Sequence, residues 1–436
     1  MRRLHPRDVK PEELPGIEFW NILTGTMGGM YMRLVFFFSP FFVYYAEACG
    51  FEEYHFGLRH FFFYMTVVFQ LFSSFLERKY ENRKKLWLYL VVPGRAVFVL
   101  YALTLSPSWV IFVLVVGMIL SNLADPIWFG WYFDYMPAEV RGRFWSKRTV
   151  VVSIGVLIAT LMGSAIMEAA SAEQKLYACK WIIGIGVLLG VLDALLHAFF
   201  IPEPRKKKTN DLLAELDILR KNRKFRKWVL ILSLWSFSTT TMGPACLPFI
   251  MDDLKLGENF LTLVFTINVM MFVGIVVGGY HLGKLIDECG AKPVLLISHF
   301  VWALVPLFYY FATPGNAFYM VGACFLVCGV FVAAGAATAW EKVKGELTPE
   351  DKTMHIAVLT FFVAIASALG ALLEAWFVHR YGVYNVFLLS LVCRCFAFLG
   401  FLKLEMVNDQ KTVPETFRKW WERFDRSNGS TETKGE

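Results

Sequence analysis

The stretch Asp134-Tyr135-Met136-Pro137-Ala138-Glu139-Val140-Arg141-Gly142-Arg143 follows an apolar run that closes on Trp131-Tyr132-Phe133. Hydrocarbon offers no partner to an unpaired backbone group, so a charged turn containing Pro and Gly must lie outside it. The stretch therefore reads as a loop between two membrane helices. A related loop, Glu346-Leu347-Thr348-Pro349-Glu350-Asp351-Lys352, follows a later apolar run. Pro137 and Pro349 stand 212 positions apart, close to half the chain, and Trp128 and Trp340 repeat at the same offset. Glu77 and Asp287 repeat at 210. Three agreeing offsets predict a protein built of two similar halves.

Composition leads to the same place. Of 436 residues 57% are hydrophobic and 18% charged, against about 45–50% and about 25% in a soluble domain. The excess is arranged in runs of about 20 apolar residues, the length that spans a bilayer. Twelve spans are expected, at 18–47, 56–77, 86–106, 108–133, 145–170, 176–201, 226–251, 258–282, 292–312, 316–342, 353–378 and 383–404. The first run follows a basic start and is too long for a signal-peptide core, so it reads as a retained helix. The net charge of +7 does not indicate nucleic acid. Of the 43 Lys and Arg, 28 fall in the termini and alternate loops, 3 in the opposite loops and 12 within spans. That asymmetry places both termini in the cytoplasm. The expected domains are an N-terminal six-helix bundle (1–201), a cytoplasmic linker with an amphipathic helix (202–225), a C-terminal six-helix bundle (226–406) and a cytoplasmic tail (407–436). The linker's Leu212, Leu213, Leu216, Ile218 and Leu219 among Lys and Arg suit the inner membrane surface and its lipids.

Ionisable groups inside spans are functional candidates by default. Arg33 lies near the middle of the first span, after Gly25, Gly28 and Gly29. It reads as either a structural ion pair or a ligand contact. In the fourth span Asn122, Asp125, Phe129 and Tyr132 share a face at helical spacing, flanked by Trp128 and Trp131. Asp125 is a candidate proton carrier or a partner for Arg33. The Ser236–Thr241 hydroxyls of the seventh span suit either a polar solute or their own helix backbone. The glycines 184, 186 and 190 read as helix packing, and Glu374 as interfacial, beside His379 and Arg380. Cys324 and Cys328 read as small packing residues; no metal or cofactor site is expected, and no catalytic set.

The loop residues resemble those of the major facilitator superfamily. Its loop pattern Gly-x-x-x-Asp-(Arg)-x-Gly-(Arg/Lys) is met by Gly283, Asp287, Gly290 and Lys292. The first-half copy is degraded: Ser73, Glu77, Arg78 and Tyr80. Asp134, Pro137, Arg141, Gly142 and Arg143 resemble the loop after the fourth helix in bacterial members, and Glu346 with Pro349 is the related second-half turn. The resemblance implies an all-α polytopic fold of two pseudo-symmetric six-helix bundles. Helices 1, 4, 7 and 10 would line a cavity, 2, 5, 8 and 11 would form the interface, and 3, 6, 9 and 12 would face lipid. That demotes Asp193 and Arg394. The loop motifs would gate the cytoplasmic side.

The expected function is secondary transport of a small organic solute, sugar-like by preference, across a bacterial inner membrane, with protons or sodium as coupling ion. Arg33, Asn122, Asp125, Trp128 and Trp340 are the expected solute contacts, and the protein is expected to act as a monomer. The same aromatics suit efflux of a drug or other lipophilic solute. A non-transporting sensor or scaffold is the rival from another class.

Overall fold

The computed structural model describes residues 11–403 except 37–38, 81, 104, 137, 204–221, 341–342 and 344–351. The linker helix, the tail, Pro137, Glu346 and Pro349 thus lie outside the described residues. Twelve helical spans follow the expected ones within a few residues: α1 (Leu14–Ala48), α2 (53–79), α3 (83–103), α4 (Pro107–Tyr135), α5 (Ala138–Ala169), α6 (Lys175–Phe200), α7 (Arg223–Asp253), α8 (260–289), α9 (Ala291–Tyr310), α10 (Ala317–Trp340), α11 (Lys352–Tyr381) and α12 (Val383–Leu402). Among the described residues, ten of these are long and apolar enough to cross a membrane. The two that fall short are α2 and α3, which carry Arg59, His60, Arg83, Lys84 and Arg95.

The turn that decides the fold is tighter than its sequence implies. Helix α4 runs through Asp134 to Tyr135, and α5 resumes at Ala138. The charged stretch is therefore mostly helix end: polar residues at a membrane surface need not be a loop when the helix simply projects into water.

Two helices are broken at corresponding places. Helix α1 stops at Val35 and restarts at Pro40, where the Phe42 amide donates to Ser39 Oγ (3.3 Å). Helix α7 stops at Thr240 and restarts at Gly243-Pro244. Proline suits the first turn of a helix, where its missing N–H would have no partner.

The halves share one neighbour map. Helix α1 packs on α5 and α6, α3 on α4 and α6, and α2 on α4; α7 packs on α11 and α12, α9 on α10 and α12, and α8 on α10. The halves meet where α2 packs on α11 and α5 on α8, as the resemblance implies. At the end opposite the termini they are closed: Phe41 stacks on Phe260 with centroids 6.2 Å apart, the Phe260 amide donates to Glu168 (3.3 Å), and Tyr54 meets His379.

Lipid-facing side chains are large and apolar, as along α6 (Trp181, Ile185, Leu188, Leu195, Phe199) and α12 (Val392, Phe396, Leu399). The opposite faces of these helices are not lipid-facing. Asp193 and Arg394 are buried inside their halves, so the demotion is corrected. Glu374 is likewise fully buried rather than interfacial. It packs where α11 crosses α2 at Gly57, with neither carboxylate oxygen hydrogen-bonded among the described residues. Two of the three α6 glycines do pack helices, Gly186 against Leu34 and Val35 and Gly190 against Tyr31, whereas Gly184 has open space around it.

The degraded loop motif has a physical explanation. Gly290, at φ 89°, alone links α8 to α9, a conformation that favours glycine. In the first half a longer turn replaces it. Tyr80 is extended, and Asn82 caps α3 by accepting from the Lys85 amide (2.9 Å). Glu77 pairs with Arg83 (3.5 Å). Glu203, buried after α6, accepts from the Arg83 and Lys84 amides at the start of α3 (2.9 and 3.3 Å). Burial holds its carboxyl above the usual carboxylate range, against the opposing pull of those amides and of Arg83.

Candidate functional site

A polar core runs through the N-terminal half. The Arg95 guanidinium of α3 donates to Asp193 and to the Gly190 carbonyl of α6 and lies over the Tyr31 ring of α1. On α5, Arg148 donates through Nε to Asn21 Oδ1 (3.1 Å) and sits 5.8 Å from the centre of the Trp128 ring. Asn21 donates in turn to the Tyr135 hydroxyl of α4. Close approach is possible because α1 lacks side chains there. A Cβ at Gly25 would stand 2.6 Å from the Arg148 guanidinium, one at Gly28 2.7 Å from Asp193, and one at Gly29 2.7 Å from Val152. The glycine triplet is thus the space in which two charged side chains are stored.

His197 extends this core. Trp128 Nε1–H donates to His197 Nε2 (2.9 Å), which makes that nitrogen an acceptor and puts the proton on Nδ1. Nδ1–H then donates to Thr24 Oγ1 (3.0 Å), and the Thr24 hydroxyl to the Asn21 carbonyl. The C-terminal half has an aromatic counterpart. His299 donates from Nδ1 to the Leu295 carbonyl (2.7 Å) among Trp235, Trp302, Trp340 and Phe401.

The residues singled out in the sequence fall into two groups. Asn122 is buried and tied to other helices: Gln70 donates to its Oδ1 (3.1 Å), and its Nδ2 donates to Thr66 (2.9 Å). Trp128 is spent on His197, and Trp340 packs against Trp228 and Phe401. Arg33 and Asp125, by contrast, remain accessible inside the helix assembly. They do not pair with each other. Asp125 is close enough to Arg95 to feel its charge, so a basic neighbour exists that the sequence did not reveal. Arg33 reaches across the halves and donates to Asn268 Oδ1 of α8.

The hydroxyls of α7 bond mainly to their own helix: Ser238 to the Trp235 carbonyl, Thr239 and Thr240 to Ser236, and Thr241 to Ser238. Ser236 alone reaches out, to Ser367 of α11 (2.7 Å). Of the loop-motif residues, Arg78, Asp134, Arg141, Arg143 and Asp287 lie in helices whose side chains at those positions are outside the described ones. A cavity of 260 Å³ at the end opposite the termini, lined by Glu53, Asp252 and Asp253 with Ala245, Pro248, Phe249, Val378 and Val383, contains none of the expected contacts.

Two six-helix halves related by a common neighbour map, with charged side chains buried inside them, have the architecture of membrane carriers built from repeats around an internal site. The chain belongs to the Major Facilitator Superfamily, whose sequence profile matches residues 22–245 and 230–423. It is an all-α polytopic protein with the fold of that family. No curated protein matches it. Solved structures match the fold over nearly their whole length. A variant of the nucleoside transporter NupG aligns with TM-score 0.65 at 13% identity, over 89% of this chain and 99% of its own. The xylose transporter XylE from E. coli gives 0.66 at 13%, over 92% and 100%. A variant of the E. coli fucose:proton symporter FucP gives 0.63 at 14%, over 91% and 100%.

Proposed function

We propose that the chain moves a small, polyhydroxylated organic solute across a bacterial inner membrane by alternating access, coupled to protons, with both termini in the cytoplasm. The observation that carries the reading is the pair of accessible ionisable groups, Arg33 and Asp125, left in the interior while Asn21, Arg95, Asn122, Arg148 and His197 around them are tied down. Nucleosides, xylose and fucose, named for the proteins of like fold, support a sugar-like solute. Arg33 and Asp125 meet the solute in this reading, while Asn122, Trp128 and Trp340 shape the walls. Asp125 carries the coupling proton. The domain division at 202–225 and 407–436, the monomeric state and the gating role of Glu77, Arg78, Asp134, Pro137, Arg141, Gly142, Arg143, Gly283, Asp287, Gly290, Lys292, Glu346 and Pro349 belong to the same proposal. A carboxylate or cation at one helix end stabilises a contact in only one of two states, which is what a gate requires. The test is uptake of labelled sugars and nucleosides into proteoliposomes under an imposed pH gradient. Asp125→Asn should abolish gradient-driven accumulation and spare exchange. Full gradient-driven uptake by that variant would remove the proton role, and no flux of any solute would remove the transport reading.

A further inference from the structure

Most of the arginines inside the helix assembly have an anionic neighbour. Arg95 has Asp193, Arg83 has Glu77 and Glu203, Arg59 feels Glu374, and Arg148 feels Asp193. Arg394 has no carboxylate among the described residues, but three groups of its own half accept from it: Ser390 Oγ (3.1 Å), the Trp302 carbonyl (2.9 Å) and the Thr239 carbonyl (3.5 Å).

Arg33 is the exception. No carboxylate among the described residues acts on it. Its Nη2 donates to Asn268 Oδ1, while its Nε and the Nδ2 of the same Asn268 are buried with no acceptor among the described residues. Two unpartnered N–H donors thus sit on side chains that are hydrogen-bonded to each other, one from α1 and one from α8, in opposite halves of the molecule. An uncompensated guanidinium in a membrane interior is costly unless something outside the chain neutralises it. Orphaned donors flanking such a charge ask for acceptor oxygens, and a carboxylate or phosphate supplies two of them with the missing negative charge.

We infer that Arg33 and Asn268 form an anion subsite, so that the transported solute is an organic acid or phosphate ester, a sugar acid rather than a neutral sugar. The inference rests on the transport reading above and narrows its solute. Because the two donors belong to opposite halves, the bound anion also draws those halves together and makes occupancy a condition of rocking.

The test is thermal unfolding of the full-length protein in detergent with matched acid and neutral pairs: gluconate and gluconamide, benzoate and benzamide, glycerol phosphate and glycerol. At least one acid member should raise the midpoint by several degrees, with its neutral partner inert. Arg33→Gln should lose that shift. Asn268→Asp should lose it too, while raising the unliganded midpoint, because it installs an internal counter-ion; this variant keeps the test valid if Arg33→Gln fails to fold. Equal shifts from neutral members, no shift from any member, a shift reproduced in full by inorganic sulfate, or an undiminished shift in Asn268→Asp would each overturn the inference. Flux of a neutral sugar into proteoliposomes without response to any acid would overturn it and leave the transport reading standing. Acid binding without flux of any solute would do the reverse.

Discussion

Helices α2 and α4 sit in the N-terminal half where α8 and α10 sit in the C-terminal half, yet the two pairs are fastened differently. The first pair is joined by side-chain hydrogen bonds: Asn122 to Gln70 and Thr66, and Ser73 to the Leu123 carbonyl. The second is joined by bare backbone. A Cβ at Gly274 would stand 2.2 Å from the Leu326 carbonyl, one at Gly278 2.4 Å from that of Val330, and one at Gly329 2.3 Å from that of Met271. Both helices of the glycine pair contain π-helical stretches, Phe265–Val269 and Cys328–Ala336. The other matched joint differs in the same way. An ion pair, Arg95–Asp193, links α3 to α6, whereas Arg394 of α12 reaches α9 through the neutral Trp302 carbonyl. The fold thus fixes which helices touch and leaves open what holds them. Shear between α2 and α4 breaks directional bonds; shear between α8 and α10 slides one smooth surface over another. Small residues allow that close approach in membranes, where packing rather than hydrophobicity drives association.

The largest effect that sharpens this contrast is at the ion pairs. Asp193→Asn leaves Arg95 without its directly paired carboxylate, with only the weaker field of Asp125, and should cost up to about 3–5 kcal/mol, the usual penalty for breaking a buried pair. Arg394→Met removes a charge without stranding one, and should change stability by less than about 1 kcal/mol. Thermal or denaturant unfolding in detergent reads both, and equal losses would break the contrast. Next in size is the glycine seam. Gly274→Ala drives a methyl into backbone that cannot step aside, at a cost of about 1–3 kcal/mol for overpacking. Gly184→Ala, with open space around it, should leave the midpoint unchanged. Similar losses at both would mean that α8 and α10 are not held by contact at Gly274.

Much of this was legible in the sequence. Twelve spans emerge because a run of about 20 apolar residues has few other uses. The breaks at Pro40 and Pro244 were not legible, because proline is also tolerated within a continuous membrane helix. The partners inside the bundles were less accessible, because pairing depends on how far each helix is rotated about its axis. Arg95, Arg148, His197 and Asn21 look unremarkable in sequence, and Asp193 was set aside with the helix that carries it. A signal was present all the same: Gly25, Gly28 and Gly29 mark a face of α1 where something large must fit. The charged stretch after Phe133 misled for the opposite reason, since a helix end in water and a loop have the same composition.

Smaller effects test the side-chain contacts themselves. Asn122→Ala strands Gln70 and Thr66, and should cost about 1 kcal/mol at the roughly 0.6 kcal/mol typical of a hydrogen bond between membrane helices. That is less than Gly274→Ala, although Asn122 is the more polar residue; the reverse order would make the polar pair the tighter one.

The finest comparison is between the two tryptophans that repeat at the 212 offset. Trp128 donates its ring N–H to His197, so Trp128→Phe keeps the stacking on Tyr132 (5.7 Å between centroids) and loses one bond. The expected cost is about half a kcal/mol, the scale of a single interhelical bond. Trp340 stacks near Trp228 (4.9 Å) and lies beside His299, whose Nε2 already lacks a donor. Trp340→Phe therefore strands nothing. Stability alone separates the two poorly, so the stronger readout is the nitrogen-15 spectrum of the histidines. His197 is held with its proton on Nδ1 only while Trp128 occupies Nε2. Trp128→Phe should let the His197 proton redistribute between the two nitrogens and move both its signals, while Trp340→Phe leaves those of His299 where they were. If the His197 signals stay fixed, the Thr24 hydroxyl alone sets the tautomer, and the two tryptophans are equivalent after all.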